Sequence, residues 1–179
     1  VTATIITHVG RAMTRAHNSA IIHRDLKPSN IFLVENDDDF VAKVLDFGVA
    51  KSLNLRLDAD DTPKTRTGSM LGTPYYMSPE QAQGQRSVDH RTDLWAMGVI
   101  AFECLVGQLP FSGDTIGDLV LKICARPLPT PSHVATVPKG FDDWFATAIS
   151  RDVSKRFSSA KELTQSLRTI LVPDAGVVT

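Results

Sequence analysis

Cysteine is scarce: Cys104 and Cys124 are the only two in 179 residues. Their spacing matches no metal-ligand pattern and makes no disulfide framework, which points to a reducing, cytoplasmic compartment. An excess of either charge is also lacking. Nineteen lysines and arginines face twenty aspartates and glutamates, a net charge of −1, so no general attraction to nucleic acid or anionic lipid is expected. The longest apolar stretch, Leu94 to Val106, contains Glu103 and is too short to cross a bilayer. No secretory leader pattern and no internal repeat are visible. What is present suffices for one domain with a sizeable core.

Periodicity divides most of the chain into helices. Val1, Ile5, Val9, Ala12, Met13 and Ala16 keep a 3.6-residue period, and Asn18 and Ser19 close that helix. Leu94, Met97, Gly98, Ala101, Phe102 and Leu105 follow the same period, but the opposite face is apolar too, so this helix must be buried. Cys104, within it, reads as a small core residue. Ile116 to Ile123 and Phe141 to Ile149 form two further periodic sets. Ala160 to Leu171 forms the last, with Ser159-Ala160-Lys161-Glu162 as a capping box. The proline-rich stretch from Arg126 to Pro138 is a loop between helices. Ile31-Phe32-Leu33-Val34 and Val41-Ala42-Lys43-Val44-Leu45 read as two strands joined by the polar turn from Glu35 to Asp39. The expected fold is mainly α with a small β-hairpin.

Chemistry concentrates in His23-Arg24-Asp25-Leu26-Lys27-Pro28-Ser29-Asn30. A carboxylate, an ammonium two positions on and an amide oxygen five positions on can accept a hydroxyl proton, neutralise a phosphate oxygen and ligate a divalent cation. Five such residues at fixed spacing arise by chance roughly once in several million positions. The hairpin would bring Asn30, entering it, beside Asp46 of Asp46-Phe47-Gly48, leaving it. Two oxygen ligands at one place suit Mg²⁺. Further on, Ser78, Pro79 and Gln81 in Gly72-Thr73-Pro74-Tyr75-Tyr76-Met77-Ser78-Pro79-Glu80-Gln81 fit an N-cap, a first helical residue and the third position of a capping box.

These segments resemble, in order, the catalytic loop, the Asp-Phe-Gly motif and the end of the activation segment of protein kinases, here of the bacterial serine/threonine type. Ser-Pro-Glu stands where the family usually has Ala-Pro-Glu. The resemblance implies a kinase-like C-terminal lobe over 1–171, with 172–179 starting a linker. It also implies transfer of the ATP γ-phosphate, with Mg²⁺, to Ser or Thr of protein substrates. Asp25 would orient the hydroxyl and accept its proton, Lys27 would sit on the γ-phosphate, and Asn30 and Asp46 would hold Mg²⁺. Thr73 would bridge Asp25 and Lys27. Phe32 matches the position that floors the adenine ring, with simple core packing as the alternative. His23, Phe47 and Gly48 are implied structural residues. Glu80 would pair with Arg156, otherwise a surface cation, and Asp93 would accept hydrogen bonds from the catalytic-loop backbone while also suiting a helix start. His8, His17, His90 and His133 form no recognisable ligand set.

No glycine-rich loop, strand lysine or helix glutamate precedes the loop at His23, so the resemblance covers only the C-terminal part of the family's domain. A fragment of this kind is expected to be inactive alone, and its parent could carry a membrane anchor elsewhere. Arg24 before Asp25 implies activation by a phosphate on Thr65, Thr67 or Ser69, added by a sister molecule. The alternatives are a pseudokinase or scaffold, against which the presence of Asp25, Lys27, Asn30 and Asp46 speaks, and a phosphotransferase of small molecules.

Overall fold

The structure, a computed structural model, describes residues 1–36, 39–46 and 74–172. Phe47, Gly48, Thr65, Thr67, Ser69 and Thr73 lie outside the described residues. Helix α1 (Thr2–Asn18) leads into the loop of interest. Its buried stripe is Ile6, Val9, Met13 and Ala16. Ile6 thus replaces the expected Ile5, which is only partly buried against the core, and Val1 is exposed at the helix start. A single turn of 3₁₀ helix, Pro28–Asn30, then delivers the chain into β1 (Ile31–Asn36), antiparallel to β2 (Asp39–Val44). Both strands run further into the polar turn than the apolar residues alone indicate. Ile31 pairs with Val44 and Leu33 with Ala42, so the two hairpin ends meet as expected.

Four further helices follow a short one. Helix α2 (Pro79–Ala82) carries the predicted capping box: Ser78 accepts from the Gln81 N–H while the Gln81 side chain accepts from the Ser78 N–H. Helix α3 (Arg91–Val106) is buried from Thr92 through Phe102, and both α1 and α5 pack against it. Its last turn emerges, and Cys104 is exposed, which corrects its reading as a core residue. Gly107 ends the helix in the left-handed conformation, at φ 80°, which only glycine adopts without strain. Helices α4 (Ile116–Cys124), α5 (Phe141–Ala148) and α6 (Ala160–Leu171) complete the fold. Phe102 of α3 meets Phe145 of α5 with ring centroids 4.8 Å apart. At α6 the expected capping box is only half made. Ser159 accepts from the Glu162 N–H, but the Glu162 carboxylate reaches one residue further back, to the N–H and hydroxyl of Ser158.

One ion pair ties α2 to the far end of the domain. Arg156 donates to both oxygens of Glu80, at 2.7 and 2.8 Å. Two further N–H groups reach the carbonyls of Ser150 and Arg91. The guanidinium also lies 5.2 Å from the centroid of the Trp95 ring. The two residues are 6% and 5% exposed, so Arg156 is a buried partner and no surface cation. Burial raises the Glu80 pKa, but the Arg156 hydrogen bonds and charge outweigh it and hold the carboxyl below its ordinary value. A lowered folded-state pKa adds stability above the ordinary carboxylate range, lost as pH falls through the folded value. Arg156→Leu is expected to cost about 3–5 kcal/mol in urea unfolding, because Glu80 is left charged and buried. It should also flatten the loss of stability on acidification, and an unchanged urea midpoint would contradict the pair's role.

Candidate active site

The loop between α1 and β1 takes its shape from one carboxylate. Asp93, in the first turn of α3, is buried, and its Oδ1 accepts from the Arg24 N–H at 2.8 Å. Oδ2 accepts from the His23 N–H at 2.9 Å and from His17 Nε2 at 2.8 Å. Since a carboxylate only accepts, His17 carries its proton on Nε2. Both sequence readings of Asp93 therefore hold together: it is a helix-start carboxylate and a backbone acceptor. His17 escaped the sequence reading. It lies 76 residues from Asp93, and no local pattern marks it.

His23 is fully buried. Its Nδ1 accepts from the Asp25 N–H at 3.3 Å, which makes Nε2 the protonated nitrogen that donates to the Leu45 carbonyl at 3.0 Å. A histidine bonded at both ring nitrogens to backbone acts as a brace, in keeping with the structural role expected for it. Arg24 has φ 64°, in the left-handed region where a non-glycine residue is strained and persists only when its surroundings hold it. That turn of the backbone directs the next residue, Asp25, outward.

Asp25, Lys27 and Asn30 form one bonded group. Lys27 Nζ donates to Asp25 Oδ2 and Oδ1 at 2.8 and 3.1 Å. Asn30 Nδ2 donates to the Asp25 carbonyl at 2.7 Å. This fixes which end of the Asn30 amide is nitrogen and leaves its Oδ1 as the end available to a cation. The Asn30 carbonyl accepts from the Leu45 N–H at 2.8 Å, so Asp46 follows directly on the neighbouring strand end. Asp46 is exposed, and its φ of 52° turns the chain out of the hairpin. The Asp25 side chain is 42% exposed and that of Lys27 is 16% exposed, so reactive groups open to solvent stand on a buried frame.

Phe32 is 61% exposed, which rules out core packing as its role in this chain. With Val41 and Leu45, also exposed and on the same face, it leaves an apolar surface on the hairpin. Tyr76, in the turn ahead of Ser78, donates to Glu103 Oε2 of α3 at 2.7 Å. Burial, and then that hydrogen bond, raise the Tyr76 pKa well above its ordinary value, so the phenol stays a donor. Among the described residues no cluster of three or more His, Cys, Asp or Glu could hold a metal, and no helix is long and apolar enough to cross a membrane.

The model of the protein kinase domain matches residues 1–167, and the chain belongs to the protein kinase family. It is similar to the serine/threonine-protein kinase Pkn1 of Myxococcus xanthus, 38% identical over 175 residues that make up 97% of this chain and 24% of the relative. It is also similar to pkn3 of Myxococcus xanthus, 39% identical over 93% of this chain and 30% of the relative. A third is the probable serine/threonine-protein kinase PknB of Lactococcus lactis, 36% identical over 92% of this chain and 25% of the relative. The chain thus spans about a quarter of the length of the curated relatives it matches.

Asp93→Asn replaces one accepting oxygen with an amine facing backbone N–H groups. It is expected to destabilise the fold by about 1–3 kcal/mol for each orphaned donor. Amide hydrogen exchange at His23 and Arg24 should accelerate well beyond that of α5. Unchanged protection at both would mean that the carboxylate does not hold the loop.

Proposed function

We propose that residues 1–171 are the C-terminal lobe of a serine/threonine protein kinase, followed by a linker from 172. In the parent protein this lobe transfers the ATP γ-phosphate to Ser or Thr of protein substrates. The observation that carries the reading is the bonded group of Asp25, Lys27 and Asn30 at the mouth of the hairpin. Asp25 orients the substrate hydroxyl and accepts its proton. Lys27, held by Asp25 before substrate arrives, turns its ammonium to the transferring phosphate, where charge redistributes in the transition state. By the family resemblance, Thr73 would contribute a hydroxyl that bridges the two. Lysine two residues after the catalytic aspartate favours serine and threonine over tyrosine.

Asn30 and Asp46 supply hard oxygens, the donors that Mg²⁺ takes together with phosphate and water. When bound, the ion neutralises phosphate charge. The orientation of the Asn30 amide, with nitrogen committed to the Asp25 carbonyl, supports that assignment. The exposed apolar face of Phe32, Val41 and Leu45 fits a surface that an adenine ring and an N-terminal lobe would cover.

In the parent enzyme, Asp25→Asn should lower kcat for peptide phosphorylation by about 10²–10⁴-fold, with the KM for ATP nearly unchanged. Radiolabel transfer from ATP measures this. A wild-type parent that binds ATP and transfers nothing would favour a pseudokinase. Chain 1–179 alone should transfer none. Alanine at Thr65, Thr67 and Ser69 together should remove activation-segment phosphate and most activity from the parent. Unchanged phosphate content by mass spectrometry would exclude these three as the modified sites.

A further inference from the structure

The Gln81 side chain does more than cap α2. Its Nε2 donates to the carbonyl of Arg24 at 2.7 Å, across 57 residues of sequence. Its Oε1 is surrounded by donors: the Ser78 N–H at 3.1 Å and the Thr92 hydroxyl at 2.7 Å. With the Thr92 proton committed to Oε1, the Ser78 hydroxyl donates to Thr92 Oγ1 at 2.7 Å and accepts from the Gln81 N–H. Every proton in the network is thereby assigned. A flipped amide would set its nitrogen against the Ser78 N–H and its oxygen against the Arg24 carbonyl, so the orientation is fixed. Ser78 and Thr92 are buried, whereas the bond from Gln81 to the Arg24 carbonyl lies at the surface.

The target of Nε2 is a particular peptide unit. Arg24 sits at φ 64°, and its own N–H is held by Asp93. The N–H of the Arg24–Asp25 peptide is held by His23 Nδ1, and the carbonyl of the same peptide is held by Gln81. The strained unit that orients Asp25 is thus bonded at each of its polar ends, by α3, by the loop itself and by α2. Helix α2 begins directly after the segment containing Tyr76, which is itself tied to α3 through Glu103.

We propose that Gln81 is a positioning residue for Asp25. It couples the start of α2 to the catalytic-loop peptide, so that the phosphotransfer geometry depends on α2 being in place. This deepens the kinase reading and rests on it for the role of Asp25. The coupling itself stands on the hydrogen bonds alone.

Gln81→Glu separates the two ends of the side chain. The introduced carboxylate still caps α2, as glutamate commonly does in a capping box, but it turns an acceptor toward the Arg24 carbonyl. In chain 1–179, the Asp25 amide nitrogen resonance is expected to shift once the Arg24 carbonyl loses its donor. It should return toward the wild-type position as pH falls and the introduced carboxyl gains a proton to donate. Gln81→Met should give the same shift with no return at low pH, and it serves if Q81E does not fold. An Asp25 resonance unmoved in both variants overturns the proposal, since a residue that only caps α2 would leave it in place.

In the parent enzyme, Q81E should lower kcat by about ten- to a hundredfold with the KM for ATP nearly unchanged. A wild-type level of kcat in an active parent also overturns the positioning role. A wild-type parent without any transfer refutes the kinase reading, and the resonance arm still decides the coupling.

Discussion

The site depends on the burial of a single carboxylate. Asp93 lies on a helix enclosed over most of its length, where an ionised group without partners would cost far more than the few kcal/mol that separate folded from unfolded chains. Three donors answer it: two backbone N–H groups of the loop and the ring of His17. The dependence runs in both directions. The loop cannot leave without stranding the charge, and α3 cannot shift without releasing the loop. A strained backbone at Arg24 is tolerable on those terms, because its alternatives would leave buried groups unsatisfied.

A second layer repeats this logic on the other side of the loop. Glu80 and Arg156 tie α2 to the chain between α5 and α6, and Gln81 ties α2 to the loop. A buried ion pair is weak evidence for added stability by itself, because desolvation offsets much of the attraction. Its consequence here is positional. The guanidinium has a planar fork, both carboxylate oxygens are taken, and the Ser150 and Arg91 carbonyls take up two further N–H groups. One arrangement satisfies all of these groups, and α2 is held in that arrangement.

The reactive groups follow a different rule from the frame that carries them. Asp25, Lys27 and Asp46 keep contact with solvent, while His23, Asp93 and the Ser78–Thr92 pair do not. A partly exposed ion pair such as Asp25–Lys27 adds little to stability, so its partners can be exchanged when a phosphate arrives. Rigidity belongs to the buried frame, and adaptability to the groups standing on it.

Much of this was legible along the chain. Two short apolar runs and a polar turn marked the hairpin, whose register brings Asn30 beside Leu45. Ser78-Pro79-Glu80-Gln81 spelled out a helix start, since capping is settled within four residues. Cys104 misled, because an apolar stretch does not say where a helix leaves the core, and α3 emerges one turn before its end. The half-made cap at Ser159 misled for a similar reason: Glu162 had a nearer hydroxyl at Ser158 than the pattern allowed for. Short-range chemistry, namely helix periodicity, caps, apolar strand runs and the spacing of Asp25, Lys27 and Asn30, was settled by sequence alone, because its interactions span only a few residues. The Glu80–Arg156 pair was expected only through the resemblance, and what His17 and Gln81 would meet was decided only when packing brought together segments 76 and 57 residues apart, for those bonds depend on where whole helices lie and on no local pattern.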